Sequence, residues 1–207
     1  MLDEALALVK RLLAAGANPN QATTQATGGP AGDVRINPAQ AGSTPLHIAA
    51  SSGSVALVEL LAAKGGNPNQ LRNDGHTPFS VSILAGDVNV VKAMVAAGAD
   101  AKARWSPRDK IPDPVEAITL ARENQTALHL AAIEGKPELL TYLASLGVPL
   151  DAKNSMDETP LDLADKQERY RDAIQRQGAD GDQEKLKKIV RKTTGTDCLR
   201  TLASARP

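Results

Sequence analysis

Apolar residues in this chain fall in short blocks at helical spacing, each cut off by glycine, and the blocks repeat. The stretch Ser43 to Ala50, STPLHIAA, has counterparts at Thr77 (TPFS), Thr126 (TALH) and Thr159 (TPLD). The intervals between these threonines are 33, 49 and 33 residues, so the middle interval is the period plus 16. Each block reads as a helix start. Threonine caps the free backbone donors, and proline fits a first turn in which no donor is missed. Ahead of the first block, Leu6, Val9, Leu12 and Leu13 form a helical stripe that closes at Gly16-Ala17-Asn18-Pro19-Asn20. Towards the far end, Asp182 reads as an N-cap for EKLKKIVRKTTG, with Leu186, Ile189 and Val190 turned inward.

A period of 33 built on T-P-L-H-x-A resembles the ankyrin-repeat family. The resemblance implies an all-α fold: an ankyrin-repeat solenoid of helix-turn-helix units with hairpin loops, two of them extended by insertions. Each unit has an inner helix starting at Thr-Pro, an outer helix, and a Gly-Ala-Asp/Asn exit. Glycine closes the outer helix in a left-handed conformation that other residues resist. About five units are expected in one domain over 1–195. They are a partial unit at 1–20, full units at 42–74, 75–102 and 124–154, and a modified cap at 157–195. Gly195 is read as the closing glycine of the last unit, and 196–207 as a loosely held tail. The missing first half of unit 1–20 is read either as a cap or as the mark of a piece of a longer protein; the second is favoured, because Leu2, Leu6 and Val9 would otherwise have little to pack against. In 75–102, Ser80 stands where histidine usually sits; in 124–154, Asn124 replaces the opening glycine and Ala127 the proline.

The insertions occupy 22–41 and 103–123. Gly16 to Thr44 and Gly98 to Thr126 each span 28 residues, whereas Gly65 to Thr77 and Gly147 to Thr159 span 12. Insertions of equal size therefore sit in alternate hairpins, and the chain carries a super-period of 82. Long loops in a compact repeat architecture are usually functional or disordered. The first is polar and rich in glycine and proline. The second holds the only tryptophan, Trp105, a basic run of Arg104, Arg108 and Lys110, and a candidate short helix at Asp113-Pro114.

Charge and chemistry narrow the function. Lys+Arg and Asp+Glu are 24 each, so nothing global draws the chain to nucleic acid or to an anionic membrane. No apolar run spans a bilayer, and Asp3, Glu4, Lys10 and Arg11 interrupt what would resemble a secretion signal. A soluble chain is expected; its compartment is not indicated. The lone Cys198 allows no internal disulfide framework, and three histidines in different units lack metal-ligand spacing. Phosphate-binding and nucleophile-elbow motifs are absent. We therefore expect no catalytic residues, no metal, no cofactor and no small-molecule substrate. The acidic group Asp157, Glu158, Asp162 and Asp165 reads as a solvated helix start. The lysine-rich run from Lys185 to Lys192 reads as a solvated outer face.

The resemblance implies structural roles for His47 and His129, each ring bonded to nearby backbone. It also implies protein binding through hairpin tips and the inner-helix face. Carried over by position, that surface comprises Gln40, Ala41, Ser43, Ser51 and Ser52, then Asn73, Asp74, His76, Leu84 and Ala85, then Gln125, Ile133 and Glu134. Trp105 has two readings: an interface anchor, as tryptophan and arginine often are, or a ring folded over its neighbouring hairpin. The expected function is a non-catalytic interaction module or scaffold. The alternative is an accessory or regulatory part of a larger enzyme or membrane-associated complex.

Overall fold

The computed structural model describes residues 2–23, 42–105, 123–166 and 195–204. These residues are helices and turns. Helix α1 is Leu2–Ala14, α2 Pro45–Ser51, α3 Val55–Ala63, α4 Pro78–Ala85, α5 Val88–Ala96, α6 Ala127–Glu134, α7 Pro137–Ser145 and α8 Gly195–Ser204. Residues 160–166 form a further helical segment. Two compact units result: residues 1–101 with 105–115, and residues 102–104 with 116–207.

In the first unit α2 packs on both α3 and α4, α4 on α5, and α3 on α5 and α1. The core is made of Leu46, Ala49 and Ala50 of α2, Val58 and Leu61 of α3, Phe79 and Ile83 of α4, and Val90, Val91 and Met94 of α5. Paired alanines at the helix crossing leave room for close backbone approach. In the second unit α6 packs on α7, and α7 on α8, around Leu128, Leu139, Leu140, Leu143 and Leu199.

Among the described residues, the outer helices end in the same way. The amides of Ala17, Gly66, Ala99 and Val148 donate to the carbonyls of Leu12, Leu61, Met94 and Leu143. The glycine before each of them, Gly16, Gly65, Gly98 and Gly147, has φ between 76° and 90°. This is the closing bond that a left-handed residue makes possible.

The carboxyl end differs from the sequence expectation. Gly195 is the first residue of α8, and the segment after it is helical instead of loosely held. Leu199 is buried, and Arg200 pairs with Asp165 at 2.9 Å. The pattern is hard to see in sequence because Leu199 and Leu202 alone mark the apolar face. The expected outer helix at Asp182 to Gly195, the Asp113-Pro114 helix, and Gln40 and Ala41 lie outside the described residues.

Candidate protein-binding surface

The inner helices start from one capping device written with three different side chains. In α2 the Thr44 amide donates to His47 Nδ1 at 3.1 Å. In α4 the Thr77 amide donates to Ser80 Oγ at 2.9 Å. In α6 the Thr126 amide donates to His129 Nδ1 at 3.1 Å, and in 160–166 the Thr159 amide donates to Asp162 Oδ2 at 2.8 Å. Each side chain at the third helical position thus reaches back to the cap.

Histidine does more than serine or aspartate, because its second nitrogen reaches the next repeat. With Nδ1 accepting, Nε2 carries the proton and donates to the His76 carbonyl from His47 at 3.2 Å. From His129 it donates to the Glu158 carbonyl at 3.0 Å. Both steps are 29 residues. Burial pushes both imidazoles down to about 4. The His76 carbonyl partly opposes this at His47, and the Arg104 charge adds to it at His129.

These bonds fix the hairpin turns. In the first unit the Arg72 amide donates to the His76 carbonyl, the Gly75 amide to the Arg72 carbonyl, and the His76 amide to Asp74 Oδ1. Arg72 Nε pairs with the same carboxylate at 2.7 Å. Shifting these numbers by 82 gives the turn of the second unit. There the Asn154 amide donates to the Glu158 carbonyl and the Asp157 amide to the Asn154 carbonyl. Asn154 Oδ1 accepts from the Met156 and Glu158 amides. The left-handed position of each turn holds Gly75 (φ 80°) or Asp157 (φ 60°); Gly42 and Asn124 are the equivalents, at 84° and 56°.

The insertions leave the repeat register untouched. Asn69 donates its amide to the Gly98 carbonyl and accepts from Asp100 N–H, steps of 29 and 31. Asn20 does the same to Gly65 and Asn67, across steps of 45 and 47. The difference is the 16 inserted residues. At the base of the first insertion the Thr23 amide donates to the Ser43 carbonyl, and the Gly42 amide to the Thr23 carbonyl. At the equivalent position before the second insertion stands Lys102, whose Nζ lies against Gly147, again 45 residues on.

The predicted contact residues fall into distinct groups. Ser51 and Ser52 are exposed at the end of α2, with each hydroxyl donating to a carbonyl of its own helix. Asn73, His76 and Leu84 are half-buried in the first unit, as are Ile133 and Glu134 in the second. Gln125 is corrected: only 4% of it is exposed, so it lies in the turn's interior and not on the surface. Trp105 is likewise 4% exposed, its ring 6.0 Å from that of Phe79, and its indole Nε1 has no hydrogen-bond partner among the described residues. The ring therefore packs against Phe79 and is not displayed on the surface. Arg104 is exposed but donates to the Asn124 and Lys153 carbonyls, at 3.3 and 2.9 Å. Arg108 and Lys110 lie outside the described residues.

Two exposed apolar side chains beside the turns escaped the positional reading: Leu71, 41% exposed, and Met156, 43% exposed. Both follow the exit of an outer helix, where an apolar residue breaks an otherwise polar run. That break was the available signal. Among the described residues no group of three or more His, Cys, Asp or Glu side chains is placed to hold a metal ion. Likewise, no helix there is long and apolar enough to cross a membrane.

Known proteins place this architecture. A family model described as Ankyrin repeats (3 copies) matches residues 2–104, and one described as Ankyrin repeat matches 123–155. The chain belongs to the ankyrin-repeat family. It is 30% identical to cyclin-dependent kinase 4 inhibitor B of Bos taurus, over 60% of this chain and 83% of that protein. It is 32% identical to human protein phosphatase 1 regulatory subunit 27, over 41% of this chain and 44% of that one. Against the transient receptor potential cation channel subfamily A member 1 homolog of Caenorhabditis elegans it is 28% identical over 58% of this chain. It spans only 9% of that channel's length. Ankyrin repeats generally mediate protein–protein interaction.

Proposed function

We propose that this chain is a non-catalytic protein-binding module that works by rigid presentation. The observation that carries the reading is the state of its hairpin turns. Their backbone groups are held by internal bonds, including the histidine bridges, so the turns are ordered before any partner arrives. Binding through such a turn loses little conformational entropy. Asn73, His76 and Leu71 in one unit, and Met156 in the other, are among the side chains these turns leave at least partly accessible. Ser51, Ser52, Leu84, Ile133 and Glu134 contribute from the inner helices. The partner is a folded protein rather than nucleic acid or a membrane, since the basic and acidic residues balance. Leu71 and Met156 favour a partner with apolar spots of its own.

A second reading is regulatory: an accessory part of a larger enzyme assembly. The likeness to a kinase inhibitor and a phosphatase regulatory subunit favours it. Both readings predict binding without catalysis. The test is affinity capture from native lysate with the chain and with a Leu71→Asp, Met156→Asp variant. Stoichiometric capture of one protein, lost in a variant with an unchanged melting temperature, supports the turn surface; equal capture by both sinks it. A third bait lacking 106–121, which keeps Trp105, reports on the second insertion. An enzyme subunit among the captured proteins would select the regulatory reading.

A further inference from the structure

The 82-residue step that relates the two bonded turns sets Asp74 and Gly75 against Met156 and Asp157. The same backbone bonds close both turns, but the amide of the last residue is satisfied differently. In the second turn the Glu158 amide donates to the side chain of Asn154. In the first, the His76 amide donates at 3.1 Å to Asp74 Oδ1, and glycine follows that carboxylate directly. An Asp-Gly step is chemically labile, because glycine has no Cβ to keep the carboxyl carbon from the next backbone nitrogen. Among the described residues no other Asp-Gly step occurs; Asp180–Gly181 lies outside them.

Here both reacting groups are engaged. The Gly75 N–H donates to the Arg72 carbonyl at 3.0 Å. Arg72 Nε holds Asp74 Oδ1 at 2.7 Å, and these two side chains are only 14% and 19% exposed. We propose that the Asp74–Gly75 bond is a latent site of isoaspartate formation, held closed by the side chain of Arg72. In the reaction the Gly75 nitrogen attacks Asp74 Cγ and a C–N bond forms. The carboxyl hydroxyl leaves as water with the amide proton, giving a cyclic succinimide. Water then opens the ring: breaking the Cγ–N bond restores aspartate, and breaking the bond from the main-chain carbonyl to nitrogen leaves isoaspartate. A carboxylate pinned by Arg72 and the His76 amide must release both before its carbon can close on that nitrogen. Isoaspartate adds a methylene to the main chain and takes the acceptor from the His76 amide. The His76 carbonyl also receives His47 Nε2, so the change extends to the cap of α2. Asn73 and His76 flank the bond; an altered contact surface there rests on the turn-binding reading, whereas the isomerisation does not.

The test follows isoaspartate in the full chain held in warm neutral buffer, with peptide mapping and mass spectrometry reading Asp74 and Asp180 separately. A synthetic peptide of residues 69–80, too short to hold the turn, sets the unrestrained rate. We expect Asp74 in the native chain to isomerise at least about tenfold more slowly than in the peptide, since a bonded turn must open first. Arg72→Met keeps the backbone bonds and removes the guanidinium, and it should restore much of the peptide's rate. Asn20→Ala loosens the repeats without touching this turn's own bonds, and it should not. Equal rates in the native chain and the peptide would overturn the proposal whatever the variants do. So would a folded Arg72→Met chain no faster than the native one, or an Asn20→Ala chain as fast as Arg72→Met.

Discussion

At His47 and His129 one ring serves as cap and as bridge, and this makes the fold sensitive to acid. Protonating Nδ1 would set two donors, the imidazolium and the threonine amide, against each other. Because both folded pKa values are lowered from 6.5 to about 4, the unfolded chain takes up these protons first. Stability is therefore complete above pH ~6.5 and falls as pH drops towards ~4, by at most about 3 kcal/mol per ring at roughly 1.4 kcal/mol per unit. Melting temperatures across that window should fall steeply for the native chain. A His47→Gln, His129→Gln double variant, whatever its stability at neutral pH, should show a much flatter profile. Asp162 is held low by the Thr159 amide and hydroxyl, so its contribution is lost only further down, in the carboxylate range. Trp105 supplies a second residue-scale prediction. Its indole N–H is buried without a partner among the described residues, a costly arrangement. Trp105→Phe is expected to be neutral or stabilising by up to about 1 kcal/mol, and Trp105→Ala to cost about 3–5 kcal/mol; urea titrations followed by circular dichroism separate the two. A Trp105→Phe loss as large as that of alanine would mean that the nitrogen has a partner after all.

Among the elements, the helices and their glycine stops were readable because each letter has a local cause. Threonine and proline start the inner helix, and a left-handed glycine ends the outer one. Asn124 was read correctly as a stand-in for glycine, since asparagine tolerates positive φ better than most residues. What could not be read were contacts between distant segments: the burial of Gln125, the Phe79–Trp105 packing, and the docking of α8 on α7. Position in a repeat says which face a residue shares, but not how deeply it is covered: Gln125 and its counterpart Glu158 are buried, whereas Ser43 and His76 are only half-buried. The equal insertions were legible as arithmetic, and the asparagine bonds supply their physical meaning. Thr23 and Ser43 lie 20 residues apart, whereas the comparably bonded Arg72 and His76 lie 4 apart. Deleting residues 24–39 should therefore leave a turn of ordinary length. Closing a shorter loop costs less entropy, by about 0.6 kcal/mol per halving. The deletion is expected to keep or slightly raise the melting temperature. Asn20→Ala, which removes two bonds between repeats, should lower stability by about 1–2 kcal/mol. A deletion that melts earlier than Asn20→Ala would show that the inserted stretch supports the fold.

At the scale of the whole molecule, charge discriminates between two ways of binding. Basic and acidic side chains number 24 each, so the chain carries no net charge that would set up a long-range field of one sign. Association through the turns, with Leu71 and Met156 as apolar contacts, would be steered little by long-range charge. Association through the second insertion would be different, because Arg104, Arg108 and Lys110 concentrate three positive charges within seven residues. Salt screens exposed charges beyond a Debye length of about 8 Å at physiological ionic strength. Once a captured partner is identified, its affinity is expected to change less than about fivefold between low and physiological salt, mostly through dissociation rather than association. Surface plasmon resonance with the native chain checks this directly. A steep fall in association rate with added salt, removed by Arg108→Ala with Lys110→Ala, would move the binding site from the turns to the inserted loop. A flat salt profile that Leu71→Asp and Met156→Asp abolish would locate it on the turns, where the internal bonds have already ordered the backbone.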